Sequence, residues 1–563
     1  MKLTRRQFQQ LILSSAGTQL IAGCRQSAQG QNQECLYTTE GQKGALTPGD
    51  LSRPRLNPLR LLPVDLRTHI RLGVQHIYQS AVDRKQGCRP FGTVGVQGGK
   101  HYYWDTPHMV GRFLDALAVS AEVIDFPPDD EADHGLRKLL HESLDNPAGL
   151  AYDIEPGEDG QRGAWMHNCR EVLLGLLALM KWKKCERSED LARKFVRTLE
   201  KVTRETGTFP AMYFNQQGWG KPEKAMYNNT SGRLVGALVK FYRLTRDDLA
   251  LTLAKRFADV NIEKAFTPEG ELREEAGTHL HSTEGTMTSI IDLGVITGEK
   301  RYAELGRQLY DVGLSRQRTT YGWAREDLKS ISGRGEANNI GDFIETGLIL
   351  ALNGQPRYFR EAECMIRNHL LASQVVNTDG FAEPARNKGL NTHEINHRLK
   401  GLFGFTEPNR FLGYNTDLMG GALQSLAEAY HAIVSRDHQG QHVNMLFPVD
   451  LPEFSLRSCL PQVGRLVIKI RRPSAISIRI PNWVGRKTVR VWVQRRLKTP
   501  VWMLEELALG TLAPNTKVEI SFDQPRRHTQ EGAPGYKTIY EIDWLGDTIV
   551  AMKPVPESNW PLY

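Results

Sequence analysis

From residue 65 to about residue 436 one pattern recurs: apolar residues return every three or four positions, and Gly, Pro or Asn interrupts before the next run. That is the mark of successive amphipathic helices. The clearest runs are Val110–Val123, Arg170–Lys183, Leu191–Val202, Gly232–Tyr242, Leu249–Val260, Thr286–Thr297, Arg301–Leu314, Ile340–Leu352, Tyr358–Ser373 and Leu418–Val434. Roughly ten to twelve helices with short connections make about six hairpins, and a lone hairpin cannot bury its apolar face. Such hairpins stack as a solenoid or close into a ring. The ring is expected here, an (α/α)6 toroid over residues 63–436.

Near Gln439 the period changes to two. Val443–Pro448, Leu466–Ile470, Ala475–Ile480, Thr488–Val493 and Val518–Phe522 alternate apolar and polar residues, and Thr538–Trp544 and Asp547–Met552 add a last pair. This predicts an antiparallel β-sandwich over residues 437–563, and so a mainly α chain with β at its C-terminal side.

Residues 1–24 read as a twin-arginine lipoprotein signal. Thr4-Arg5-Arg6-Gln7-Phe8 precedes an apolar run, Leu11–Ala22, too short to span a bilayer, and Ile21-Ala22-Gly23-Cys24 has the form of a lipobox with Cys24 as the lipidated thiol. Residues 25–62, rich in Gln, Gly, Ser and Pro, read as a flexible tether. The expectation is an exported protein, periplasmic or at the cell surface, touching the membrane only through its N-terminal lipid. Six further cysteines, Cys35, Cys88, Cys169, Cys185, Cys364 and Cys459, form no CxxC pair, and in an oxidising compartment disulfides are open to them. The net charge of +8 is scattered rather than gathered into a stripe, and no nucleic-acid motif accompanies it. Nucleic acid is therefore not an expected partner; an anionic glycan or a membrane surface suits the charge better.

Four segments carry a resemblance. They are Trp104-Asp-Thr-Pro-His-Met-Val-Gly-Arg-Phe-Leu-Asp-Ala116, Gly277-Thr-His-Leu-His-Ser-Thr-Glu-Gly285, Ala475–Val484 with its Arg-Ile-Pro-Asn-Trp, and Asp543–Val550 followed by Pro561-Leu-Tyr. From about residue 65 onward the sequence resembles the β-L-arabinofuranosidase superfamily, glycoside hydrolase family 127 and its exported relatives. The resemblance implies the toroid and a carbohydrate substrate. It also implies a zinc ion held by three cysteines and a glutamate, one cysteine being the nucleophile. Here the departure begins. The glutamate-cysteine motif falls on Glu336-Ala337-Asn338 and the paired cysteines on Thr416-Asp417, just before Gly420-Gly421-Ala422; only the glutamate is kept. Asn and Thr are poor zinc ligands and supply no thiolate. No zinc and no other cofactor is expected, and the chain reads as a divergent member lacking the catalytic zinc–cysteine motif.

Without zinc, glycoside hydrolysis needs a proton donor and a nucleophile or base, normally two carboxyl groups. Glu326, in Tyr321-Gly-Trp-Ala-Arg-Glu-Asp327, lies where the resembled family carries its acid/base glutamate, and is the first candidate donor. Asp417, in Tyr414-Asn-Thr-Asp417, is the candidate partner, with Glu336 as a third catalytic candidate and Asp342 beside it. Asp417 is equally suited to its helix entrance as an N-cap, Glu336 and Asp342 to the positive helix end, and Glu326 to a solvated loop beside Arg325. His167, His279 and His281 stand where the resemblance places ligands of sugar hydroxyls, and Trp104, His108, Tyr227, Asn229 and Trp323 complete the expected substrate-binding set, with Trp219 a further aromatic. A metal site from His279, His281 and Glu284 lacks a supporting motif. The expected function is a glycoside hydrolase of the β-L-arabinofuranosidase type acting on poly- or oligosaccharide. The alternatives are a polysaccharide lyase or unsaturated uronyl hydrolase, for which Tyr227, Asn228, Asn229 and Arg233 could bind a uronate, and a non-catalytic glycan-binding lipoprotein.

Overall fold

The computed structural model describes residues 62–102, 105–154, 162–164, 166–209, 227–328, 333–378, 391–556 and 562–563. Two units are distinguished: one combines Asp65–Ala432 with Arg526–Tyr563, and the other contains Ile433–Pro525.

The first unit is built on α1 (Leu66–Gln79), α2 (Asp105–Ala121), α3 (Asp130–Ser143), α4 (Cys169–Trp182), α5 (Glu186–Thr203), α6 (Arg233–Thr245), α7 (Asp248–Ala265), α8 (Leu280–Thr297), α9 (Lys300–Gln308), α10 (Ala337–Leu352), α11 (Arg357–Met365) and α12 (Leu418–Ala432). The even-numbered helices form a closed inner ring in which each packs on the next and α12 returns to α2. The odd-numbered helices lie outside it, α1 on α12, α3 on α2, α5 on α4, α7 on α6, α9 on α8 and α11 on α10. The chain thus forms the expected (α/α)6 toroid, and every predicted helical run falls on a helix. Beyond those runs, α1 and α3 are capped by Asp65 and Asp129, whose carboxylates each accept a backbone amide at 3.0 Å, and a short helix, Thr392–Leu399, is capped by Asn391.

Inner and outer helices differ in composition for a physical reason. Inner helix α8 is buried on every side from Leu280 to Gly294, whereas outer helix α5 buries one stripe that includes Ala192, Phe195, Val196, Leu199 and Val202. The α2–α4 contact is unusually close. A Cβ at Gly111 would stand 2.0 Å from the Glu171 carbonyl oxygen, and one at Gly175 would stand 2.8 Å from the Gly111 Cα. Glycine at both positions lets the backbones meet, which brings Arg112 against Glu171.

Three short strands, β1 (Gly335–Glu336), β2 (Gly404–Glu407) and β3 (Arg410–Tyr414), pair in that order, with Glu336 opposite Phe405. They fix Glu336 at the entrance to α10.

The second unit holds β4 (Val434–Asp437), β5 (Gly440–Val443), β6 (Val449–Asp450), β7 (Phe454–Ser458), β8 (Arg465–Ile470), β9 (Ser474–Arg479), β10 (Arg490–Val493), β11 (Arg496–Lys498), β12 (Val501–Met503), β13 (Glu506–Leu512) and β14 (Lys517–Ser521). They make a six-stranded sheet ordered β6-β7-β8-β14-β10-β11 and a five-stranded sheet ordered β12-β13-β9-β5-β4. Pairing is antiparallel except between β9 and β5. Along β8, Leu466, Ile468 and Ile470 are buried on one face, while on the other Val467 is buried and Lys469 exposed.

Two expectations need correction. Val443–Pro448 is not one strand: β5 ends at Val443, and Met445, Leu446 and Phe447 are buried without a ladder. The sheet region also does not run as one unit to residue 563. β15 (Arg526–Gly532), β16 (Ile539–Leu545) and β17 (Thr548–Lys553) form a separate three-stranded sheet that belongs with the helices. Asn368, just past α11, donates to the Asp547 carbonyl at 2.6 Å and accepts from the Ile549 amide at 2.7 Å. Period-two alternation marks a strand but does not say against what it packs. Among the described residues, no helix is long and apolar enough to cross a membrane.

Candidate active site

The entrances of the six inner helices meet at one end of the ring. At its centre is Glu171 on α4, fully buried and contacted by Arg112 at 3.3 Å, Arg170 at 3.0 Å and Arg233. Burial opposes its charge, but the three guanidiniums hold this carboxyl well below the usual carboxylate range. Unpaired, such a charge would cost several kcal/mol.

Arg112 is the link to the cleft residues. Its Nε lies 2.9 Å from the Asp417 carboxylate and its terminal nitrogen 3.0 Å from Nε2 of His281. Arginine only donates, so Nε2 of His281 accepts, and Nδ1 carries the proton it donates to Asp342 at 2.6 Å. Burial and the Arg112 charge keep the imidazole neutral. His108 stands 3.0 Å from the same Asp417 oxygen. Against the effect of burial, Arg112 and His108 hold Asp417 ionised, far below the normal aspartate range. No backbone amide bonds its carboxylate among the described residues, so Asp417 is a member of this network rather than a helix cap.

Glu336 is the opposite case. It is 4% exposed, makes no side-chain cap bond to α10, and its Oε1 has no hydrogen-bond partner. Burial first, then the charges of Glu326 and Asp417, push its carboxyl well above the glutamate range and favour the protonated form. Close by in the chain, Asn338 is buried with neither amide atom partnered. Glu284 is likewise driven up by burial and by Asp342; one of its oxygens accepts from Asn339 at 2.8 Å and the other has no partner.

Four imidazoles follow one another. His108 stacks on His167 at 5.1 Å, His167 lies 6.2 Å from His279, and His279 meets His281 edge-on at 5.8 Å. His167 is 2.7 Å from the Asn229 side-chain oxygen, which also accepts from Ser282 at 2.8 Å. Burial lowers His279 to about 4 and takes His167 well below its ordinary value, so both rings are neutral. Nε2 of His167 accepts from Arg233 at 2.8 Å and Nδ1 of His279 meets the Ser282 hydroxyl at 2.9 Å, which leaves Nε2 of His279 for a ligand.

The structure therefore brings together Asp417, Glu336, His108, His167, His279, His281 and Asn229. Tyr227 precedes the turn Asn228–Gly232 that leads into α6. Glu326 is near enough to act on Glu336, but both its oxygens are taken by the Arg334 guanidinium, one at 2.8 Å, which leaves it poorly set as a proton donor. Trp323 is fully buried, donates its indole N–H to the Thr406 carbonyl at 3.1 Å and lies edge-on to Tyr536; it packs the core and presents no face to a sugar. Trp104, Trp219 and Cys24 lie outside the described residues. Sequence reasoning misses Arg112 and Glu171. Their signal is a charge inside an inner-helix run that is otherwise apolar.

A zinc ion of the kind the resemblance implies does not suit the donors present. Asn338 supplies an amide, Thr416 spends its hydroxyl on the Phe91 carbonyl, and Asp417 is engaged by Arg112 and His108. Among the described residues no three His, Cys, Asp or Glu side chains form a group that could hold a metal ion.

Residues 158–368 match the family model described as the β-L-arabinofuranosidase, GH127 catalytic domain. No curated protein matches the chain. Among solved structures, a GH127 β-L-arabinofuranosidase from Geobacillus stearothermophilus T6 is 14% identical, covers 78% of this chain and 76% of its own, and has a TM-score of 0.53. A second GH127 β-arabinofuranosidase is 16% identical over 86% of this chain and 80% of its own, with a TM-score of 0.56. A structure titled glycoside hydrolase is 12% identical over 84% and 85%, with a TM-score of 0.56. At these identities the structural likeness shows the fold.

Proposed function

From a chain with a GH127-type catalytic domain, divergent in its site, we propose a glycoside hydrolase that works without zinc. Glu336 gives its proton to the leaving oxygen, and Asp417 is the ionised carboxylate that attacks the anomeric carbon or activates water. One observation carries this reading: buried Glu336 keeps an oxygen without a partner, while Asp417 is held by Arg112 at 2.9 Å and His108 at 3.0 Å. Burial and like charge favour the protonated form of the first, and the Arg112 and His108 contacts the ionised form of the second. Neutral His279, with His167 and Asn229 beside it, is suited to bind a sugar hydroxyl. An arabinose-containing oligosaccharide is the first substrate to try, on the strength of the family match.

The test is a panel of aryl glycosides headed by the β-L-arabinofuranoside, with an oligosaccharide screen, run with and without 1,10-phenanthroline. Hydrolysis unchanged within about two-fold by the chelator is the expected result. Abolition by chelator would restore a metal, and an unsaturated uronate product would replace hydrolysis by elimination. We further propose export and anchoring through Cys24, supported by the twin-arginine and lipobox residues and by the disulfide of Cys459.

A further inference from the structure

The second unit carries an unpaired rim. β11 ends the six-stranded sheet and β12 begins the five-stranded one, so the stretch from Arg496 to Met503 runs along two sheet edges. Residues 485–504 contain six cations, Arg486, Lys487, Arg490, Arg495, Arg496 and Lys498, and no acid. All six are exposed, and none has an acidic partner among the described residues. The next two residues, Glu505 and Glu506, are already occupied, by Arg479 at 3.2 Å and His442 at 2.9 Å.

Between the cations stand aliphatic side chains open to solvent: Leu497 is 62% exposed, Val501 60%, Met503 47% and Leu504 91%. Leu504 is the most telling. Its φ of 55° lies in the left-handed region, which a branched residue rarely occupies, and Arg486 fixes the turn by donating to the Leu504 carbonyl while lying 4.7 Å over the Trp502 ring. A rigid turn thus holds a leucine outward. Charges alone would guard a sheet edge against pairing; they do not account for four exposed aliphatics beside them.

We propose that this rim docks on an anionic phospholipid surface, the cations meeting headgroup phosphates and the aliphatic tips entering the acyl boundary. Cations interleaved with aliphatics fit an anionic bilayer, which rewards both. An acidic polysaccharide would engage the charges but leave Leu504 and Leu497 without a use, because sugars are gripped by aromatic faces.

The test uses the full chain with Cys24→Ser, which cannot be lipidated, sedimented with vesicles of phosphatidylcholine alone or with one-third phosphatidylglycerol. Binding is expected only to the anionic vesicles and should fall steeply between 0.1 and 0.5 M NaCl. The pair Arg495→Gln and Arg496→Gln should weaken it roughly 25-fold, about five-fold per charge. Leu504→Asn should weaken it about ten-fold, while asparagine suits the left-handed turn and keeps the fold. Equal sedimentation with both vesicles, or none with either, overturns the proposal. So does retardation in a gel containing polygalacturonate without vesicle binding, which would assign the rim to an acidic glycan.

Discussion

The two ends of the inner ring are built from the same six helices and treat charge differently. Deeper in the ring, each cation sits among carboxylates. Lys240 lies 3.5 Å from Glu345 and 3.7 Å from Glu428, Arg243 grips Asp292 at 2.6 Å, and Gln424 bridges Glu345 and Glu428 at 3.3 and 3.0 Å. The cavity there, bordered by Arg170, Lys240, Thr288 and Asp342, is about 20 Å³, room for about one water. That end too raises one carboxyl, Glu428, to about 8 through burial and Glu345, and leaves its Oε2 unpartnered; at the helix entrances Glu336, Glu284 and Asn338 together keep four such atoms. A buried polar atom left unsatisfied costs about 1–3 kcal/mol, so several at one place mark where something else is meant to bind. The deep end is a plug; the entrance end is where chemistry is poised.

This contrast can be broken most sharply at Asp417. Asp417→Asn removes the ionised group and is expected to lower kcat by about a thousand-fold or more, with a folded protein by circular dichroism; a loss under ten-fold would deny Asp417 any part in the reaction. Glu336→Gln should cost about a hundred-fold or more. A neutral donor with a raised pKa is active below that pKa and lost as pH rises through it, so the variant should also lack the alkaline limb of the kcat/KM profile. If the limb persists, the donor is elsewhere, and Glu326 returns as a candidate. At the deep end, Lys240→Met should behave differently. It strands Glu345 and Glu428 and should lower stability by about 2 kcal/mol, between the values for exposed and buried pairs, with the pH profile unmoved. Melting followed beside kinetics separates the two ends. The smallest effect is expected at Trp323→Phe, about 1 kcal/mol for the indole hydrogen bond and no change in KM; a raised KM would return Trp323 to the substrate.

Much of this architecture is legible in the amino-acid sequence. The three-four spacing marks the inner and outer helices, and the switch to period two places the sheets. The helix entrances likewise draw attention to Asp417, Glu336, His279 and His281. Arg112 and Glu171 are harder, because a charged residue in an apolar run reads as an irregular helix until the ring closes around it. Protonation cannot be read at all. Glu336 is pushed toward its protonated form by burial, by Glu326 and by Asp417, which is 81 positions away, and no local pattern encodes that sum. Trp323 misleads for a related reason, since an aromatic in a loop shows nothing of Tyr536, which lies between β15 and β16 and meets its ring edge-on. The expectation of chemistry without a zinc-thiolate rests on Asn338 and Thr416, whose donor chemistry is local and so legible in the sequence.

The closure of α12 onto α2 has a temporal meaning. His108 and Asp417 are 309 positions apart, yet their contact is a seam of the toroid and lies within the proposed reactive centre. A growing chain that has finished ten or eleven helices has an open arc, and Arg112 there has no aspartate to hold. On the proposed reading, the reactive pair is assembled only when the circle is complete, and a partly made molecule lacks it.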